Sequence, residues 1–309
     1  MGIARNALLW VSENRNLRQT LPKYKFVRRA VTRFMPGEEL DDALHAAEQL
    51  KAKSINTILT HLGENISDEA EAKRVADHYV HVLHRVRERN LDASISVKLT
   101  QLGLDLNEVI CLKHLESIVE CARVLSNTVW IDMEQSIYVD RTISIFKKVR
   151  QKHLNVGLCL QSYLYRTKND LDNLLPLSPA IRLVKGAYAE PATVAFPKKS
   201  DVDANFFELS RILFTNIRTN GLKFGIGTHD KVLIRRIIQE AATMGLSRSD
   251  YDFQLLYGIQ SEEQLRLAQE GFRVRALISY GTFWFPWYVR RLAERPANVL
   301  FVLKNVLSR

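Results

Sequence analysis

Two adjacent arginines, Arg290 and Arg291, stand one helical turn before Glu294 and Arg295 and are well suited to hold a small anion. Pro286 suits the first turn of a helix, where its missing N–H costs nothing, and Pro296 would kink or end that helix. Neighbouring helix positions lie about 100° apart, so both guanidinium groups can converge on one ligand. Two planar forks aimed at one place match a carboxylate or a phosphate. A solvated face laced by Arg290–Glu294 and Arg291–Arg295 neighbours is the other reading. The aromatic residues just upstream (Phe283, Trp284, Phe285, Trp287, Tyr288) favour the first, because they would build an apolar wall where charge is desolvated.

A second polar set stands at the ends of short apolar runs. These runs close with Lys98, Asp132-Met133-Glu134, Gln161, Arg182 with Lys185-Gly186-Ala187-Tyr188, Thr228-His229, Gln254 with Leu256, and Tyr280. Any one is unremarkable; a strand-end ion pair such as Lys98–Asp132 is often structural. Gly225 and Gly227 fit tight packing as well as close approach to a flat ligand. So many polar groups at one rim make a mixed-charge mouth suited to a polar cofactor.

Their positions follow from a simple alternation. Apolar, β-prone runs recur at 55–60, 94–100, 129–133, 156–161, 181–186, 222–228, 252–256 and 274–279. Helical stretches lie at 35–53, 68–89, 106–126, 138–152, 168–175, 203–219, 230–244, 260–270 and 286–305. Eight strand–helix units predict an α/β fold, a (β/α)8 TIM-type barrel whose chemistry sits where strands end. Runs apolar on both faces suit strands covered on both sides. An open doubly wound sheet would also alternate, but no glycine-rich phosphate turn follows the first strand. The expected organisation is a basic N-terminal helical extension, 1–50, a catalytic barrel, 51–309, and a last helix over the barrel mouth.

Tyr288-Val-Arg290-Arg291-Leu-Ala-Glu294-Arg295-Pro296-Ala-Asn298 closely resembles the last helix of the proline dehydrogenase family. The resemblance runs through Val97-Lys98-Leu-Thr-Gln-Leu-Gly, Ile131-Asp132-Met133-Glu134, Arg182-Leu-Val184-Lys185-Gly186-Ala187-Tyr188-Ala-Glu190-Pro191 and Phe253-Gln254-Leu255-Leu256-Tyr257-Gly258. It is weakest over residues 1–50. It implies non-covalent FAD across the barrel mouth, with Arg182 near the flavin ring. Met133, Gln161, Val184, Lys185, Gly186, Ala187, Thr228, His229, Gln254 and Glu294 would complete the cofactor site. L-Proline would lie on the flavin with its carboxylate on Arg290, Arg291 and Lys98, and Asp132 would hold Lys98. Leu256, Tyr188 and Tyr280 would wall the pyrrolidine ring, Tyr280 standing where a 4-hydroxyl would project and so favouring proline over hydroxyproline. The implied reaction is oxidation of L-proline to Δ1-pyrroline-5-carboxylate, the first step of proline catabolism to glutamate, with electrons passed to a membrane quinone.

The formal charge of +10 is concentrated at the N-terminus. Residues 1–35 carry eight Lys or Arg against Glu13 alone, a surplus of seven. Such a segment suits a solvated face or docking on an anionic membrane. Nucleic-acid binding is not expected, because no recognition motif accompanies the charge. The expected location is the cytoplasm, peripheral on the inner face of the membrane. Cys111, Cys121 and Cys159 match no metal or redox spacing and read as buried thiols. His78, His81 and His84 recur every three residues, about 300° of helical turn, so they drift around the helix and no metal site is expected. Two other functions remain compatible with the rim: a flavin barrel reducing a folate from a nicotinamide donor, and a binding protein without chemistry.

Overall fold

The eight apolar runs form eight strands because each is covered on both faces. A computed structural model describes residues 31, 33–63, 66, 68–285 and 287–289. In chain order the elements are α1 (Leu40–Lys51), β1 (Asn56–His61), α2 (Glu69–Glu88), β2 (Ala93–Val97), α3 (Glu108–Val124), β3 (Val129–Ile131), α4 (Val139–Arg150) and β4 (Val156–Gln161). They continue with α5 (Thr167–Asp172), β5 (Ala180–Val184), α6 (Lys199–Asn220), β6 (Lys223–Gly227), α7 (Lys231–Thr243), β7 (Tyr251–Leu256), α8 (Ser261–Gln269) and β8 (Arg273–Tyr280). The strands pair in parallel in sequence order and close on themselves. The closing seam runs from Asn56 opposite Arg275 to His61 opposite Tyr280. The (β/α)8 barrel expected from the alternation is therefore the fold.

Every residue of β2 and of β4 is buried, as strands between a packed interior and a helical layer require. Helices α2, α3 and α7 start at side-chain caps. Asp68 accepts from Ala70 N at 2.9 Å, Asn107 from Val109 N at 2.8 Å and Asp230 from Val232 N at 3.2 Å. The buried stripe Ala76, Tyr79, Leu83 and Val86 of α2 follows helical spacing and joins the main core. Helix α1 shares that core through Ala43, Leu44, Ala46 and Ala47, so the boundary expected near residue 50 falls at the end of a helix packed on the barrel. The basic residues 1–30 lie outside the described residues.

Two features shape the site end. Inside the barrel Ile58, Trp130 and Ala180 form a small core of their own. Gly157 makes room for the indole, since a Cβ there would come within 2.7 Å of the Trp130 ring. At the rim Trp284, Phe285, Trp287, Tyr288 and Val289 pack with Phe34, Met35, Leu62 and Ile259, so four of the five aromatics expected to build an apolar wall do so and Phe283 stays exposed. Trp284 Nε1 fastens it by donating to Glu38 Oε1 at 2.9 Å.

Candidate active site

A cavity of about 860 Å³ opens at the carboxyl ends of the strands, where barrel enzymes place their chemistry. Its walls bring together polar residues from all eight strands and their following loops. Asp132, just beyond β3, is the hub. Its Oδ1 accepts from the Ser96 hydroxyl at 2.7 Å and from Arg182 Nη2, and its Oδ2 faces Lys98 Nζ at 3.4 Å. Arg182 Nη2 also donates to Ser96 Oγ at 2.9 Å, and its guanidinium carbon lies 5.4 Å from the centroid of the Trp130 ring. Burial alone would raise the Asp132 carboxyl, but Lys98, Arg182 and the Ser96 hydroxyl outweigh it and hold it below the ordinary carboxylate value.

Met133 lines the cavity beside Asp132. Gln161, at the end of β4, donates through Nε2 to Met133 O and Glu134 O, both at 3.2 Å, while its Oε1 is buried without a partner among the described residues. Gln254 Oε1 and Ser279 Oγ, on β7 and β8, are in the same condition and also line the cavity. Buried acceptors without donors are costly in an isolated protein, so this wall is built to receive hydrogen bonds. Glu134 is tied elsewhere, accepting from Thr100 N at 3.2 Å and Thr100 Oγ1 at 2.6 Å.

The β5 end supplies Val184, Lys185, Gly186, Ala187 and Tyr188 to the wall. Lys185 Nζ donates to Asp203 and, at 2.9 Å, to Asp230, and Lys199 bridges the same two carboxylates. Two cations and two anions thus balance at this corner. Asp230 lies well below the usual carboxylate range because the two lysines outweigh its burial. Thr228 and His229 line the β6 side. His229 Nε2 accepts from Leu256 N at 3.0 Å, which places the ring proton on Nδ1 in the neutral imidazole. Leu256 lies beside it on the wall.

Gly186 must be glycine. Its φ is +118°, and a Cβ there would come within 2.2 Å of the Tyr163 ring. Gly186→Ala is expected to cost about 1–3 kcal/mol of stability. An unchanged denaturant midpoint would show that the turn relaxes freely.

Among the described residues expected in the site, Tyr280 is the exception. Strand side chains alternate; Leu277 and Ser279 of β8 line the cavity, and Tyr280 turns outward beneath α2. Its hydroxyl lies 2.8 Å from His78 Nε2, and its ring packs against His61. Burial, His78 and Lys98 push His61 down to about 4, so this outer cluster is uncharged near neutrality. The expectation that Tyr280 walls a substrate ring is therefore corrected. Arg290, Arg291 and Glu294 lie outside the described residues. Trp287, three residues earlier, reaches the cavity wall.

Reasoning from sequence missed Ser96, Cys159 and the Lys199–Asp203–Asp230 corner. Ser96 sits two residues before Lys98 and Cys159 two before Gln161, so strand parity alone places both on the inner face. Cys159 is buried as expected and lines the cavity, Cys111 is buried, and Cys121 is half-exposed, 3.8 Å from His84 Nε2. Among the described residues, no group of three His, Cys, Asp or Glu is placed to hold a metal. No described helix is long and apolar enough to cross a membrane.

The sequence profile described as Proline dehydrogenase matches residues 43–304. The chain belongs to the proline dehydrogenase family. It is 37% identical over 305 residues to Proline dehydrogenase 1 of Bacillus subtilis subsp. natto, with 99% of each chain covered. It is 34% identical over 309 residues to Proline dehydrogenase of Deinococcus radiodurans, with 98% of each covered. Among solved structures it resembles proline utilization A from Bdellovibrio bacteriovorus, inactivated by N-propargylglycine, with a TM-score of 0.81 at 19% identity. That alignment covers 93% of this proline dehydrogenase family member and 38% of the larger chain, and it establishes the shared barrel.

Proposed function

We propose that this chain oxidises L-proline to Δ1-pyrroline-5-carboxylate with non-covalent FAD, as the first step of proline catabolism to glutamate. The observation that carries the reading is the Lys98–Asp132–Arg182–Ser96 network lining the cavity of a family member. The cavity fits a large polar cofactor: Gln161 Oε1, Gln254 Oε1 and Ser279 Oγ wait for donors, and Gly186 and Gly227 line it without side chains. Arg182, Lys185, Thr228, His229 and Gln254, with Met133, Gln161, Val184, Gly186, Ala187 and Glu294, are the residues proposed to hold it. Bound there, FAD would accept the hydride that leaves the proline ring carbon next to nitrogen.

The protein's own part is positioning. Asp132 holds the Lys98 ammonium toward the cavity, where it joins Arg290 and Arg291 on the substrate carboxylate. Leu256 and Tyr188 present apolar surface to the ring. The site is rich in clamps and poor in bases, which suits an oxidation needing little beyond a neutral amine. The visible spectrum of the purified protein tests this. Flavin absorption should bleach on addition of L-proline and not of NADH; bleaching by NADH instead would favour a folate reductase, and a colourless protein that takes up no FAD would favour a binding role.

A membrane quinone is the proposed electron acceptor, and the basic residues 1–35 are proposed to bring a cytoplasmic protein to the anionic inner face of the membrane. Reoxidation no faster with a soluble quinone than with dioxygen would remove the first part. Liposome binding unchanged by deleting residues 1–35 would remove the second.

A further inference from the structure

The loop from Lys185 to Lys198 joins β5 to α6, and its 186–191 half contains no helix or strand. Both its ends wall the cavity, Gly186, Ala187 and Tyr188 on one side and Phe196 and Pro197 on the other. Its far half is stitched to the loop after β4. Ala195 forms a β-bridge with Leu164, Phe196 N donates to Tyr163 O at 2.8 Å, and the Tyr165 hydroxyl donates to Ala192 O at 3.0 Å. In the near half the side chain of Glu190 reaches to the neighbouring βα loop. Glu190 accepts from Ser136 N at 2.7 Å through Oε1 and from the Ser136 hydroxyl at 2.6 Å through Oε2. Both residues are half-buried, so this two-point bond is partly screened from water.

We propose that Glu190 is a positioning residue that clasps the 186–198 strap against Ser136, and that release of this clasp sets how fast a cofactor in the cavity leaves. The proposal deepens the flavin reading and rests on it. Glu190 is not among the residues lining the cavity; it acts through the strap that carries Gly186, Ala187 and Tyr188. Removing the carboxylate frees one edge of the cavity wall and leaves the Lys98–Asp132–Arg182 hub in place.

The test is flavin release from the loaded holoenzyme, followed as free-flavin fluorescence after dilution. Losing two hydrogen bonds to an ionised group is expected to speed release in Glu190→Ala by on the order of tenfold or more. Ser136→Ala keeps the N–H bond and should give a smaller increase. Glu190→Gln keeps one good acceptor and should restore part of the slow release. The thermal midpoint of the apoprotein should move little, which separates a clasp from general destabilisation. Release from both alanine variants at the wild-type rate would overturn the proposal. Should Glu190→Ala fail to fold, Ser136→Ala decides alone, by faster or unchanged release. Should the wild type take up no FAD, the cofactor reading fails by itself; the clasp is then judged by limited proteolysis, where cutting within 186–198 no faster in Ser136→Ala would sink it.

Discussion

Asp132→Ala is expected to lower the stability of the fold by about 3–5 kcal/mol, the range found when one partner of a buried ion pair is removed. The carboxylate serves Lys98, Arg182 and the Ser96 hydroxyl together. Both cations are largely buried, Lys98 with 10% and Arg182 with 4% of the side chain exposed, so neither can be rehydrated without opening the cavity. Asp132→Asn should retain part of the loss, since it keeps the shape and removes the charge. The pH dependence gives a second check. A carboxyl held below its unfolded value near 3.9 contributes stability that is fully present above that value and is lost as pH falls through the folded value. The gap between wild type and Asp132→Ala should therefore be constant near neutrality and shrink below about pH 4. Equal unfolding midpoints at pH 7 would mean that the hub contributes nothing net.

Arg290→Ala and Arg291→Ala should each reduce kcat/KM for L-proline by on the order of 10²–10³-fold, equivalent to about 3–4 kcal/mol for a carboxylate left without its fork. The expectation rests on where the chain leads. Trp287 lines the cavity, and Tyr288 and Val289 are buried at its rim. The two arginines follow immediately in the sequence. Lysine should rescue poorly at either position, because a point charge does not reproduce a planar, two-pronged donor. Turnover of either alanine variant within about twofold of wild type would remove these residues from the clamp.

Much of this was readable in the chain. The eight runs gave the barrel because parallel strands covered on both faces are written as continuous apolar stretches. Their ends were harder to place. The second run was read to residue 100, but β2 stops at Val97, and Leu99–Leu102 turns into a short 3-10 helix that Glu134 holds through Thr100. That contact joins residues far apart in sequence and leaves no periodic trace. Helix α6 begins at Lys199, four residues before the stretch expected at 203–219, since Lys199, Ser200 and Asp201 are polar. In the site, Lys98 and Asp132 announce themselves at strand ends, whereas Ser96 is visible only through strand parity and the Lys199–Asp203–Asp230 corner is assembled across two loops. Tyr280 was misplaced for the opposite reason. The parity that puts Ser279 inside puts Tyr280 outside, whereas the family resemblance points to Tyr280. The Glu190–Ser136 clasp could not have been found from sequence, because nothing local ties those two positions.

The seam between β1 and β8 has a bearing on how the molecule is made. Asn56–His61 finds its second partner only in Arg273–Tyr280, near the far end of the described chain. During synthesis β1 and each newly added strand would therefore present an open row of amides and carbonyls, the kind of edge that recruits other chains. Closing so long a loop is slow. A nascent chain stalled before residue 273 should stay dependent on chaperones, and release of β8 from the ribosome should be the moment at which that dependence ends.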